Sequence, residues 1–215
     1  MSGFIAAIVT LGLLAAYLLG SIPTGFLLGK ALQGIDIREH GSGNTGATNV
    51  FRVIGKGAGI TALVIDLIKG LVAVRLMMAL ISLFVLPKVG TDALIWIVWV
   101  YMFAAALAVV GHSKSVWIGF AGGKSAATGL GVLLALVWPV GLSAAAVFVT
   151  AVLLSRTVSV GSIAAALSVA VFMIAMQQPL PYVLLAIAGG GYVILRHRSN
   201  ISRLLTGTEP KTFGG

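Results

Sequence analysis

The chain has 215 residues, of which 59% are hydrophobic and only 9% charged, against about 25% charged in an average soluble protein. So few charges cannot cover a water-facing surface, which excludes soluble globular and disordered classes and assigns the chain to a bilayer. The net charge is +9, from 14 basic and 5 acidic residues. The basic residues lie in short breaks between apolar runs, so the implied partners are membrane lipids with anionic headgroups and anionic substrates, not nucleic acid.

The amino end carries no charge from Met1 to Gly29. It lacks the basic flank of a cleavable signal and its apolar run is too long for one, so the first segment is expected to stay attached. Further uncharged stretches run from Ala93 to Ser113, Ser125 to Ser155 and Thr157 to Leu195. Trp138-Pro139 and the Gln177-Gln178-Pro179-Leu180-Pro181 turn divide the last two, because proline removes a helix donor. The pattern predicts membrane segments at about 4–31, 57–86, 93–112, 125–137, 139–155, 158–176 and 180–196. The expected fold is an all-α integral membrane protein of about seven transmembrane helices in one domain, 1–215, with the fourth and fifth forming a short hairpin. Placing the basic breaks in the cytoplasm puts the amino end outside and the carboxyl end inside.

Three segments on the cytoplasmic face concentrate the chemistry. The first is Gly41-Ser42-Gly43-Asn44-Thr45-Gly46-Ala47-Thr48-Asn49, ending in Arg52. Its small residues let backbone N–H groups turn inward as an anion nest. Ser42, Asn44, Thr45, Thr48 and Asn49 add side-chain hydrogen bonds, and Arg52 adds a planar phosphate fork. A helix beginning at Thr48 or Asn49 would add the positive end of its dipole. The plainer alternative is a flexible connector with ordinary capping residues.

The second segment is Gly119-Phe120-Ala121-Gly122-Gly123-Lys124-Ser125. A nucleotide P-loop needs four residues between its glycines, and the required position holds Ile118, so a nucleotide fold is excluded. Glycine amides and one lysine leading into a helix still suit a phosphate. A topological lysine at a glycine-rich turn is the alternative. The third segment, Arg196 to Arg203, follows the last span. If the helix continues, His197 and Asn200 share a face, although basic residues there are also what topology alone requires.

Asp66 and Lys69, three apart in an apolar segment, read as a mutual pair. His40 reads as a loop residue at headgroup level, and His112 ends a span. Three histidines in separate segments, with no neighbouring carboxylate, argue against a metal site.

Taken in order, Gly20-Ser21-Ile22-Pro23, Asp36-Ile37-Arg38, the Gly41–Asn49 run, Gly122-Gly123-Lys124, His197-Arg198-Ser199-Asn200-Ile201-Ser202-Arg203-Leu204 and Gly207-Thr208-Glu209 closely resemble the bacterial membrane acyl-phosphate:glycerol-3-phosphate acyltransferases, the PlsY family. The resemblance covers essentially the whole chain. It implies a seven-helix enzyme of the plasma (inner) membrane whose site faces the cytoplasm. Such an enzyme moves a fatty acyl group from acyl phosphate to the 1-hydroxyl of glycerol 3-phosphate, giving lysophosphatidic acid and inorganic phosphate, without a cofactor. It carries Ser42, Arg52, Lys124, His197 and Asn200 over as catalytic and substrate-binding residues. Gly41, Gly43, Asn44, Thr45, Gly46, Thr48, Asn49, Gly122 and Gly123 are carried over as the phosphate-binding surroundings. The enzyme that makes acyl phosphate becomes a candidate partner. Two positions depart from the family pattern: Ala121 stands where lysine is frequent, and Ser125 where glycine usually follows the motif lysine.

Two other functions fit parts of the pattern. A transporter of phosphorylated metabolites would also carry cations and broken helices, but no internal repeat stands out here. A CDP-alcohol phosphotransferase would need clustered aspartates for a divalent metal, and Asp36, Asp66 and Asp92 are far apart in sequence.

Overall fold

The computed structural model describes residues 2–212; Met1 and 213–215 of the expected domain lie outside the described residues. The described chain is helical throughout apart from turns and one isolated β-bridge, Ser115 with Ala121. It divides into two compact units, Met1–Leu136 and Val137–Gly215.

The first unit holds α1 (Ser2–Ser21), α2 (Thr24–Gln33), α3 (Ala47–Val53), α4 (Lys56–Leu80), α5 (Leu94–Ser113) and α6 (Ala126–Leu136). The second holds α7 (Trp138–Ser155), α8 (Val158–Ala175), α9 (Leu180–Arg196) and α10 (Arg198–Leu205). Five stretches are long and apolar enough to cross a bilayer: α1, α4 with its continuation to Lys88, α5, α7 and α8. The pair α9 and α10 makes a sixth if counted together despite its 59° bend. Many large apolar side chains point outward, Leu153 and Leu154 at 74% and 83% exposure among them. Only a lipid solvent makes such a surface inexpensive.

Three expectations change in detail. The expected segment at 4–31 is two helices, because Pro23 interrupts the backbone ladder: the Ile22 N–H reaches back to the Leu19 carbonyl and the Thr24 N–H only to that of Ile22. The expected segment at 125–137 is a helix of 11 residues, about 16 Å long by helical rise and well short of a bilayer core. The helix at the third segment does not continue: α9 ends at Arg196 and α10 starts at Arg198, with His197 between them at φ −95°, ψ 8°.

Within the first unit, α4 is the central helix, packed by α1, α3, α5 and α6. The α4–α6 contact depends on small residues. Gly131 of α6 lies on the Leu67 carbonyl, and Gly70 of α4 lies on that of Thr128. Backbones that approach this closely exchange side-chain volume for dispersion contact, the usual means of helix association in lipid.

Because the obstacle at Gly131 is backbone, it cannot move aside. Gly131→Ala is expected to abolish or sharply reduce folded protein recovered from membranes. Gly129→Ala, in the same helix with open space around it, should keep its melting temperature or raise it, by up to about 1 kcal/mol of helix propensity. Thermal melting of the two purified variants beside wild type checks this.

Candidate active site

The first segment is the connector between α2 and α3 with the start of α3. Its core is the buried side chain of Asn49, 2% exposed. The Asn49 amide donates to the carbonyls of Ile37, His40 and Asn44 at 3.2, 3.0 and 2.9 Å, while its oxygen accepts the Ser42 N–H at 2.8 Å. Gly43 N–H donates to the His40 carbonyl, and Gly46 N–H to the Asn44 side-chain oxygen. The backbone therefore does turn as expected, with Gly41 and Gly43 at φ +60° and +67°. Three of the N–H groups expected to meet an anion nevertheless point into the loop's own acceptors. Asn44 and Asn49 act as scaffold for the loop.

Around that scaffold, Thr45 is buried, Thr48 is half-buried, and Ser42 and Arg52 are exposed. The loop rests on a small apolar cluster of Ile37, Val50 and Ala62, backed by Phe26 and Ala58. Arg38 joins it to the second segment. Its guanidinium grips Asp36 through Nε and Nη2, and Nη1 donates to the Ile118 carbonyl at 3.0 Å. The Arg38 guanidinium beside Asp36 holds that carboxyl at about 2.

The second segment leaves α5 at Ser113 and enters α6 at Ala126. The Ser115 carbonyl accepts the Phe120 N–H at 2.7 Å, and Gly123 N–H donates to the His112 carbonyl at 3.1 Å. Lys124 is half-buried between Gly123 and Ser125, both buried. Ser125 has φ +64°, a left-handed conformation that costs a non-glycine residue about 1–2 kcal/mol. That explains why glycine is usual there. Here the Ser125 hydroxyl donates to the Val109 carbonyl at 2.8 Å, a bond worth about 1 kcal/mol that offsets much of the strain.

The third segment belongs to the second unit. His197 and Asn200 are 4% and 6% exposed. His197 Nδ1 lies 2.8 Å from the Val193 carbonyl. A carbonyl only accepts, so Nδ1 is the donor in this bond. A backbone carbonyl thus orients this imidazole in the role that a carboxylate often fills. Asn200 donates to Glu209 Oε1 at 2.6 Å, Ser159 donates to the same oxygen at 2.8 Å, and Arg203 Nε meets Oε2 at 2.7 Å. Glu209, quoted in the sequence only as part of a motif, organises this segment. Burial pushes its carboxyl up, but the hydrogen bonds from Asn200, Ser159 and Arg203 outweigh that and hold it below the ordinary glutamate value.

The first unit thus brings Ser42, Arg52 and Lys124 into segments joined by Arg38, and in the second unit Asn200 is held by Glu209 while His197 is held by the Val193 carbonyl. Sequence reading passed over Glu209, Arg38 and His112 as organisers. Glu209 and Arg38 stood in quoted motifs, and His112 was marked only as the end of a span.

The glycerol-3-phosphate acyltransferase family model matches residues 10–207. The glycerol-3-phosphate acyltransferase of Acaryochloris marina is 54% identical over 202 residues, covering 93% of this chain and 90% of the relative. That of Trichormus variabilis is 53% identical over 199 residues, covering 91% and 88%. Among solved structures, PlsY (YgiH), an integral membrane glycerol 3-phosphate acyltransferase, superposes in its glycerol 3-phosphate form with a TM-score of 0.83. It is 38% identical, with 96% of each chain covered.

Because the Glu209 carboxyl is lowered on folding, its contribution to stability is complete above about pH 4.5 and is lost as pH falls through the folded value. Wild type should therefore lose melting temperature on acidification below pH 4.5. Glu209→Gln should start lower at neutral pH and show a shallower acid decline, measured by thermal scans across pH 3–7 in one detergent.

Proposed function

Since the chain belongs to the glycerol-3-phosphate acyltransferase family, a family of integral membrane enzymes that acylate glycerol 3-phosphate, we propose that its acyl donor is acyl phosphate and its products are lysophosphatidic acid and inorganic phosphate. The observation that carries this reading is the kind of residue its signature segments present. They hold cations, Arg52 and Lys124, while the chain contains no cysteine and the Nδ1 of His197 bonds to a carbonyl rather than to an aspartate. A donor already activated by a good leaving group needs charge neutralisation more than it needs a covalent acyl-enzyme.

In the proposed reaction, the 1-hydroxyl oxygen of glycerol 3-phosphate attacks the acyl carbonyl carbon. The carbon–oxygen bond to phosphate breaks, and the leaving phosphate takes the hydroxyl proton. Arg52 and Lys124 neutralise phosphate charge, Ser42 hydrogen-bonds it, and His197 and Asn200 hold the acceptor. Gly41, Thr45, Gly46, Thr48, Gly122 and Gly123 shape the surroundings. The proton route through the donor is the favoured one, and His197 is the competing base.

The segments face the cytoplasm in this reading, at the inner membrane, with the amino end outside. Opposed termini require an odd number of crossings. Five long spans, α9 with α10 as a sixth, and the short α6 as a partial span would give seven. A transporter reading gains no support, since the family acylates its phosphorylated metabolite.

Purified enzyme given acyl phosphate and glycerol 3-phosphate should release inorganic phosphate one-for-one with lysophosphatidic acid, with no added metal. Activity with acyl-CoA or acyl-carrier protein but none with acyl phosphate would overturn the donor assignment.

Arg52→Ala and Lys124→Ala should each lower turnover by at least about 10- to 150-fold, the loss of one charge-assisted contact of about 1.5–3 kcal/mol. His197→Asn and His197→Gln separate hydrogen bonding from proton transfer. With the donor phosphate as base, one of them retains measurable turnover. Both falling to the level of His197→Ala, with glycerol 3-phosphate still bound, would make His197 the base.

A further inference from the structure

A second group of ionisable side chains lies in the first unit, outside the roles given so far. Asp66 of α4 is 1% exposed, with Thr24 and Lys69 at 5% and His112 at 7%. Asp66 Oδ1 accepts from the Thr24 hydroxyl at 2.8 Å and from Lys69 Nζ at 2.7 Å. Lys69 Nζ also donates to the Ile22 carbonyl, at the break between α1 and α2. The pair expected from sequence is present, and it is more than a pair. His112 Nδ1 faces the same Asp66 oxygen at 3.5 Å, and no hydrogen bond reaches that nitrogen.

The other edge of the imidazole faces the second segment. A Cβ added at Gly123 would collide with His112 Nε2, and one at Gly122 would collide with the His112 carbonyl. That carbonyl also accepts the Gly123 N–H. On the far side of Lys124, Ser125 is tied to Val109, one turn earlier on α5. The backbone on both sides of Lys124 is therefore clamped to the end of α5, and the ring in that clamp stands between Gly123 and Asp66.

A pair needing only to neutralise itself within an apolar span would not require a histidine from another helix, nor that histidine pressed against a glycine. We propose that His112, backed by Asp66, is the positioning residue that sets the Gly122-Gly123-Lys124 turn, and that Thr24 and Lys69 act on the reaction by fixing Asp66. Lysine carries its charge on a flexible four-carbon stem, so its ammonium is placed only as well as its backbone is. The inference rests on the proposed role of Lys124 in binding phosphate.

Two readouts on the full-length purified enzyme test it. The first is kinetic: Asp66→Asn and His112→Gln should lower kcat/KM by about 10- to 100-fold, the scale of a roughly 1 Å misplacement, in protein that stays monodisperse and folded. The second does not depend on activity. Phe120, on the turn, is 59% exposed and the chain has no cysteine, so Phe120→Cys accepts a single nitroxide label. Its spectrum should show an ordered turn in the otherwise wild-type protein and a more mobile one with either substitution. If Asp66→Asn does not fold, Thr24→Val, which removes one hydrogen bond and no charge, replaces it. A wild type inactive with acyl phosphate would overturn the donor reading and leave the label to decide positioning. Lower melting temperature with unchanged kcat/KM and an unchanged label spectrum would overturn the proposal and make the cluster purely structural.

Discussion

An ionised carboxylate inside an apolar helix is costly unless other groups replace its lost water, and Asp66 sits in the middle of the longest helix of the chain. Its partners come from three elements: Lys69 from its own helix, Thr24 from the first residue of α2, and His112 from the last turn of α5. Lys69 supplies the opposing charge, the Thr24 hydroxyl a further hydrogen bond and His112 a close neighbour, so three elements converge on this one side chain. α2 leads into the Asp36–Arg52 connector, and α5 leads into the Lys124 turn. The electrostatic requirement of one side chain thereby sets where both signature segments of the first unit begin.

The same device recurs at the loops. Asn49 satisfies four backbone groups of its connector, and Glu209 accepts from Asn200, Ser159 and Arg203 at the carboxyl end. In each case one buried polar side chain substitutes for regular secondary structure and makes an irregular segment rigid. The consequence for the chemistry is a division of labour. Backbone amides that bond inward stabilise the loop and are lost to a ligand, so in the proposed reading phosphate recognition falls to side chains such as Arg52 and Lys124.

How far the sequence could be read follows from which interactions are local. Apolar runs between charges located the long helices, because the bilayer demands uninterrupted apolar length. Trp138-Pro139 marked the start of α7, since proline is tolerated in the first turn of a helix. The break at Pro23 went unread because apolar residues continue on both sides of it. The bend at His197 had no glycine or proline to announce it. Asp66 and His112 are 46 positions apart, and no spacing rule links a helix interior to another helix's end. For the same reason, Asn49 read as a ligand, although its amide serves the loop. Residue chemistry singled out candidate segments, whereas the direction in which each polar group points came only from the fold.

Ser125 shows how these levels interact. Glycine is usual after the motif lysine, and the structure supplies the reason in a φ of +64°. A serine there accepts backbone strain and gains a hydroxyl that bonds to Val109, on the same helix end that carries His112. The departure from the family pattern therefore removes nothing from the turn: conformational freedom is replaced by a tether to α5. Glycine leaves the position after Lys124 free to move, and serine binds it to the helix on which the Asp66 cluster acts. In this chain the lysine is consequently held from both sides by α5, through the Gly123 N–H before it and the Ser125 hydroxyl after it.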